Sequence, residues 1–353
     1  MSGKGCLILL VALLVPTLLC AISSGFLGSL GIPTALDGLF KPTLPTILLP
    51  AEGIPDNDSP ITNTIIATVL ADLVILALFI GGARKLRKGD AGLVPASRPQ
   101  SLVEMIVEAL YNLAESVLGS KARKVFWLGA TIFIFVLIAN WMELLPGFDS
   151  VGIIEPAHGD LTGYEKDTLL GIPVLLGPIE DEEGAESPEA AHAAAHEEHA
   201  AHGYVLRPFL RAANTDLNVT LALALVSVVF IQIYSIRELG LGGFMGRFIQ
   251  TKRLGEGNPM GAIDFFVGIL ETIAEVAKII SFAFRLFGNI FAGQVLLFVM
   301  GFLIPFVSFG ILIFWGLEIF VGAIQALVFM MLTFVFLAVA MAGHGDHEGE
   351  HGH

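Results

Sequence analysis

Charge is what this sequence has least of. Only 15% of its 353 residues are Asp, Glu, Lys or Arg, while 55% are hydrophobic and the mean hydropathy is +0.78. A soluble domain usually carries about 25% charged residues, so that class is excluded. Cysteine is nearly absent too. Cys6 and Cys20 both lie near the first apolar run, which gives neither a disulfide framework nor a cysteine metal motif. No basic surface suggests a nucleic-acid partner. The pattern GxxxxGK[ST] does not occur, so no phosphate loop equips the chain for phosphoryl transfer. Histidine is missing from every long apolar run: the nine lie at His158, within 192–202 and in the tail from His344. A metal-ion transporter would carry ligands inside its spans, and that reading loses its histidines here.

What recurs instead is the apolar run of about 20 residues, the length that crosses a bilayer as a helix. The sequence predicts an all-α polytopic membrane protein. Residues 1–25 join Lys4, an apolar core and small residues at Ala21–Gly25, the pattern of a signal-like segment, with a membrane anchor as its rival. Residues 26–60 are rich in Pro and Gly and read as an extended extracytoplasmic segment. Residues 61–146 hold a first span, about Ile61–Ile80, in which Asp72 is expected to face protein. They continue with an amphipathic surface helix over 99–124, carrying Leu102, Val103, Ile106, Val107, Leu110, Leu113 and Ala114 at helical spacing. A second span over about Val125–Leu145 completes that region.

Residues 147–216 form an acidic, histidine-containing insert with 14 Asp/Glu against 3 Lys/Arg. A third span, about Leu217–Ile236, opens on the capping side chains of Asn214, Asp216 and Asn218, and a basic loop follows to 261. Residues 262–342 read as two long helices, about 262–302 and 306–342, broken near Gly301 and Pro305. Each exceeds an upright span, which tilt accommodates. Residues 343–353 are a His-rich tail.

Orientation follows from the cations. The loop 84–124 carries 8 Lys/Arg, the loop 237–261 carries 4, and the insert carries 3 in 70 residues. The positive-inside rule puts the two basic loops in the cytoplasm and the insert outside.

The chemistry gathers in one stretch, Lys278–Gln294, with Arg285 near its middle. A cation in hydrocarbon costs from about 2.5 to well over 10 kcal/mol, so Arg285 must face protein or water and meet a partner. Glu271, Lys278 and Arg285 are seven apart and share a helix face, which Asn289 extends by a turn. Glu275 is placed to pair with Lys278. Gly288, Ala292 and Gly293 narrow the surface near Arg285 and permit close approach of another helix. In the last helix Glu318 and Gln325 are also seven apart. An arginine does not release its proton. Arg285 is thus a fixed positive charge that holds an approaching carboxylate ionised. Glu318 titrates, and Gln294, Asn289 and Gln325 orient water or hydrogen-bond. Glu318 and Gln325 read equally as interhelical glue. A purely structural scaffold, the remaining class, leaves Arg285 and Glu318 without a reason.

At these residues the chain resembles a known family. Phe284-Arg-Leu-Phe-Gly-Asn-Ile-Phe-Ala-Gly293 resembles the motif of the a subunit of F-type ATP synthases, and Ile324-Gln-Ala-Leu-Val-Phe-Met-Met-Leu-Thr333 resembles that family's final helix. Asn140-Trp-Met-Glu143-Leu-Leu-Pro146, Asn218-Val-Thr-Leu and Gly242-Gly-Phe are weaker similarities. The resemblance covers about 61–146 and 205–342. It implies a proton-conducting stator that is not catalytic alone and has no cofactor. Its two tilted helices would face a ring of c subunits, with two half-channels serving the ring carboxylates. It also implies b-type peripheral stalk partners, indirect engagement of the F1 sector, and a bacterial plasma membrane. The essential arginine of the family falls on Arg285, the last-helix glutamine on Gln325 and the motif asparagine on Asn289. The acidic access position falls on Gln294, and its last-helix partner on Glu318, which takes the carboxylate role. Glu271, Lys278, Glu143, Asn140, Asp216 and Asn218 match further polar positions.

The insert and the tail stand outside that pattern. His192, His196 and His199 have one-face helical spacing within an Ala- and Glu-rich stretch. They are candidate zinc ligands, although the composition favours a solvated low-complexity loop; a local proton buffer is a further hypothesis.

Overall fold

The computed structural model describes residues 51–55, 59–86, 98–156, 163–169, 171–178, 203–248, 259–303 and 308–341. The signal-like segment, the 180–202 stretch with its candidate zinc histidines, and the His-rich tail lie outside them. Six α-helices are present among the described residues: α1 (Asn63–Leu86), α2 (Arg98–Leu118), α3 (Ala122–Glu143), α4 (Leu217–Phe248), α5 (Pro259–Leu303) and α6 (Ser308–Met341). By length and composition five helical stretches can cross a membrane, with α2 and α3 counting as one. The chain clusters into two compact units. Of the described residues, one comprises those within 64–143, 212–291 and 320–341; the other comprises those within 51–63, 144–211 and 292–319.

The first unit is helical. Its core joins Val125, Leu128, Ile132 and Val136 of α3 to Ala224, Val228 and Ile231 of α4, Phe282, Leu286 and Ile290 of α5, and Phe329, Met330, Phe334 and Leu337 of α6. These positions recur every three or four residues, so each helix buries one stripe. Phe282 stacks on Phe329 with ring centroids 4.8 Å apart. A side chain at Gly129 would overlap the Phe334 ring, so glycine there permits the close approach of α3 and α6. Ser227 and Thr333 hydrogen-bond across the core at 3.0 Å, and Ser235 Oγ donates to the Ala340 carbonyl at 2.9 Å. Buried hydroxyls need such partners where no water competes.

The amphipathic reading of α2 holds in part. Leu110, Ala114 and Leu118 are buried, and Ala114 and Leu118 continue the i, i+4 row from Leu110. Leu113, expected on the apolar face, is exposed, because residue 113 is turned by about 60° from residue 110 and about 100° from residue 114. Asp72 meets no protein face among the described residues of its own chain, so the protein it is expected to face belongs to another subunit. α1 buries Thr64, Ala67 and Ala71, and Asp72 lies one residue past that row, exposed on its own chain.

α4 runs twelve residues beyond the predicted span end and is interrupted at Gly240, where φ 70° and ψ 165° suit glycine alone. Its start is capped. Asp216 Oδ1 accepts the Asn218 N–H at 2.8 Å, and Oδ2 accepts Thr64 Oγ1 at 2.9 Å, tying α4 to α1. Asp216→Ala removes the cap, about 1 kcal/mol, and a buried hydrogen bond worth about another. The expected result is a lowered thermal midpoint of the detergent-solubilised protein, with Asp216→Asn retaining part of the loss.

The second unit contains the surprise of the insert. Four short strands, β1 (Gly152–Pro156), β2 (Tyr164–Leu169), β3 (Ile172–Pro178) and β4 (Tyr204–Pro208), form an antiparallel sheet in the order β1-β4-β2-β3. Gly152 stands opposite Pro208 and Pro156 opposite Tyr204. The pairing continues past the strand ends: Phe209 N–H donates to the Val151 carbonyl, and Asp149 N–H to the Leu210 carbonyl, both at 2.9 Å. Arg207 pairs with Glu155 and donates to the Pro55 carbonyl at 2.9 Å, fastening the segment at 51–55 to β4. Trp315 of α6 donates its indole N–H to the Leu144 carbonyl at 3.2 Å.

Candidate functional site

Arg285, Asn289 and Gln325 belong to the helical unit. Arg285 is exposed, and its guanidinium donates to Ser281 Oγ, one turn back, at 3.4 Å. Among the described residues no carboxylate lies within ion-pair distance of it. The α5 face around it is a continuous exposed row: Ile273, Val276, Ile280, Phe284, then Gly288 and Ala292. A Cβ built on Gly288 meets nothing within 4 Å, so the surface beside the guanidinium is open and low. Ser281 was not singled out in the sequence. Its i−4 spacing from Arg285 was the available signal.

Asn289 donates through Nδ2 to Gln325 Oε1 at 3.4 Å, joining α5 to α6. Gln325 is only 6% exposed, and its Nε2 finds no acceptor among the described residues. Such an amide holds hydrogen-bonding capacity in reserve for a water or an incoming polar group. Lys278 does not share the exposure of Arg285. Its Nζ pairs with Glu275 at 2.7 Å, as the spacing predicts, and lies 5.0 Å from the Phe336 ring. Glu275 also accepts Gln232 Nε2 at 2.7 Å, so this group is a buried tie between α4 and α5. Asn140 is buried and donates to the Gly322 carbonyl at 3.2 Å while accepting from Asn214 at 2.6 Å. It acts as a clamp, as Asp216 acts as a cap. Glu271 is half-buried, and Asn218 contributes its backbone N–H while its side chain is exposed.

Gln294 and Glu318 belong to the other unit, and both are buried, at 6% and 7% exposure. Glu318 lies against the residue before Gln294: its carboxylate occupies the space that a Cβ on Gly293 would need. Of the three small residues read as a path for a neighbouring helix, Gly293 thus accommodates a side chain of its own protein. Gln294 Nε2 donates to Asp149 Oδ2 at 2.6 Å. Asp149 was missed in the sequence. It lies in the insert, 145 residues from its partner, and nothing local marks it. Burial pushes its carboxyl up to about 6, against the opposing pull of Arg211 and the Gln294 hydrogen bond. Glu52, also raised by burial, stands in the same electrostatic neighbourhood with Arg207, Arg211 and Glu155. Glu143, half-buried, ends α3 just before this unit begins. No cluster of metal-ligating side chains occurs among the described residues.

The family model described as ATP synthase A chain matches residues 65–338. The ATP synthase subunit a of Acinetobacter baylyi is 32% identical over 275 residues, covering 77% of this chain and 79% of that protein. Its counterpart in Psychrobacter cryohalolentis is 31% identical over 272 residues, 76% of this chain and 78% of the relative. In Acinetobacter baumannii the identity is 32% over 262 residues, 73% and 76%.

Proposed function

The chain belongs to the ATP synthase A chain family, and from that premise we propose that it serves the rotary mechanism through two half-channels that bring protons to and from carboxylates on a ring of c subunits. Membership makes it a multi-pass membrane subunit that assembles with the other ATP synthase subunits. The finer reading concerns what its residues do there.

The observation that carries this reading is the exposure of Arg285 on an apolar helix face with no described carboxylate in reach. A cation placed so in a membrane segment needs an anionic partner, and the partner comes from another subunit. A ring carboxylate arriving at Arg285 gives up its proton to become the ion that the guanidinium favours. On leaving, it takes a proton from the other path. Arg285, which cannot deprotonate, closes the direct route between the two. Gln325 and Asn289 orient the water or carboxylate beside it. Glu318 and Gln294 serve the path on the insert side, with proton arrival from outside the bacterial plasma membrane. The b-type stalk holds the chain against rotation, and the F1 sector is engaged through other subunits. The membrane potential contributes about 2.3 kcal/mol per charge per 100 mV to each passage.

Disulfide trapping tests the ring-facing row. Cysteines replacing Ile280, Phe284, Gly288 or Ala292 are expected to cross-link to a cysteine beside the ring carboxylate. Cysteines replacing Leu286 or Ile290, which are buried in the core, are not. Cross-links confined to the buried row would overturn the assignment of the α5 face.

A further inference from the structure

The insert sheet holds a carboxylate against α5. Asp149 has its backbone N–H fixed to Leu210 at 2.9 Å, in register with the β1–β4 ladder. Its φ of 53° is left-handed, a conformation that aspartate tolerates better than most residues and that fixes where its side chain leaves the backbone. The carboxylate ends on Gln294 Nε2 at 2.6 Å. The next residue back, Gly293, is the one against which the Glu318 carboxylate lies. Two carboxyl groups from distant parts of the chain thus rest on consecutive residues of one helix. Gln294 Oε1 is buried and finds no donor among the described residues. An amide donates its N–H to an ionised carboxylate and, turned by half a rotation, accepts from a protonated one. Gln294 therefore suits both protonation states of Asp149.

We infer that Asp149 is the first proton-accepting group of the insert-side path, held by Gln294 and delivering through water to Glu318. The inference rests on the stator reading and names a residue that reading did not include. The step balances simply. A hydronium ion transfers a proton to the Asp149 carboxylate and leaves as water. The Asp149 O–H then breaks as a bridging water accepts its proton and passes one on, and an O–H forms on Glu318. Asp149 returns to the anion. Of the charged groups, Arg211 acts on it directly, and Glu52, which in turn feels Arg207, Arg211 and Glu155, senses its charge. Arg211 favours the anion, while burial favours the acid, so Asp149 changes state near pH 6. The sheet gains a purpose: it is the frame that presents this side chain.

The test uses the whole complex in vesicles, with passive proton conductance after removal of F1 as the readout. Asp149→Asn keeps shape and tolerates the left-handed backbone; Asp149→Gly suits that backbone still better and serves if the asparagine variant fails to assemble. Either is expected to lower conductance by about 10²-fold, the usual worth of a positioned acid–base group. The inflection near pH 6 should vanish with it. Adding Gln294→Glu to the Asp149→Asn variant returns a carboxylate to the same contact and is expected to restore conduction, which a merely structural role would not allow. Conductance and pH profile unchanged in Asp149→Asn, with ATP-driven pumping lost in Arg285→Ala, overturns this inference alone. A loss that Gln294→Glu does not rescue also overturns it. Normal pumping in Arg285→Ala removes the stator reading beneath it.

Discussion

Replacing Arg285 by lysine or by alanine is expected to abolish ATP-driven proton pumping while the complex still assembles. Assembly should survive because Arg285 is exposed on its own chain and contributes one long hydrogen bond, to Ser281. Pumping should not, because truncating one partner of a desolvated charge pair costs about 2–5 kcal/mol. At about 1.4 kcal/mol per tenfold, that is a loss of about 30-fold to several thousand-fold. Lysine preserves the charge and still fails, for two reasons. It lacks the planar fork that meets both carboxylate oxygens, and a desolvated ammonium sheds its proton where a guanidinium does not. Alanine also removes the electrostatic barrier between the two paths, so passive leak should rise in Arg285→Ala and less in Arg285→Lys. Quenching of a pH-sensitive dye in inverted vesicles, with and without ATP, reads both quantities. Normal pumping in Arg285→Ala would falsify the proposed role.

The helical frame was legible because the bilayer imposes it. Runs long enough to cross hydrocarbon must be helical or closed barrels, and α5 and α6 begin and end within a few residues of where hydropathy and the Gly301–Pro305 break put them. The Glu275–Lys278 pair and the Asp216 cap were legible because both are local, three and two residues apart. The sheet of the insert was not. Its strands are five to seven residues long and interrupted by Gly and Pro, and β1 finds β4 across some fifty residues. Composition registers acidity there and says nothing about pairing. Asp149 was illegible for the same reason: a carboxylate next to Pro146 and Gly147 looks like any turn residue until the ladder carries it to Gln294. Spacing places residues on a common face and leaves their exposure to their neighbours. Lys278 and Arg285 share a face by spacing, yet one is tied inward by Glu275 and Phe336 and the other is open.

Gly293→Ala is expected to impair proton pumping about as severely as loss of the carboxylate it touches. A single methyl group at a buried helix position ordinarily costs little when its surroundings can yield. Here the atoms in its place are those of the Glu318 carboxyl group itself. The backbones of α5 and α6 are fixed by packing, so the glutamate side chain is what moves. A misplacement of about 1 Å at a reacting group can cost 10²-fold. Three variants separate displacement from damage. Glu318→Gln keeps the fit beside Gly293 and removes the titrating proton, so it should assemble and fail to pump. Glu318→Asp draws the carboxylate back by one methylene and should retain part of the activity. Gly293→Ala combined with Glu318→Asp makes room for the methyl group and should pump better than Gly293→Ala alone. That sign of coupling is the decisive quantity: two substitutions each harmful in isolation, less harmful together, place the defect in the space they share. If the double variant is worse than either single one, the contact between Gly293 and Glu318 is only packing, and the proton path on the insert side must run elsewhere.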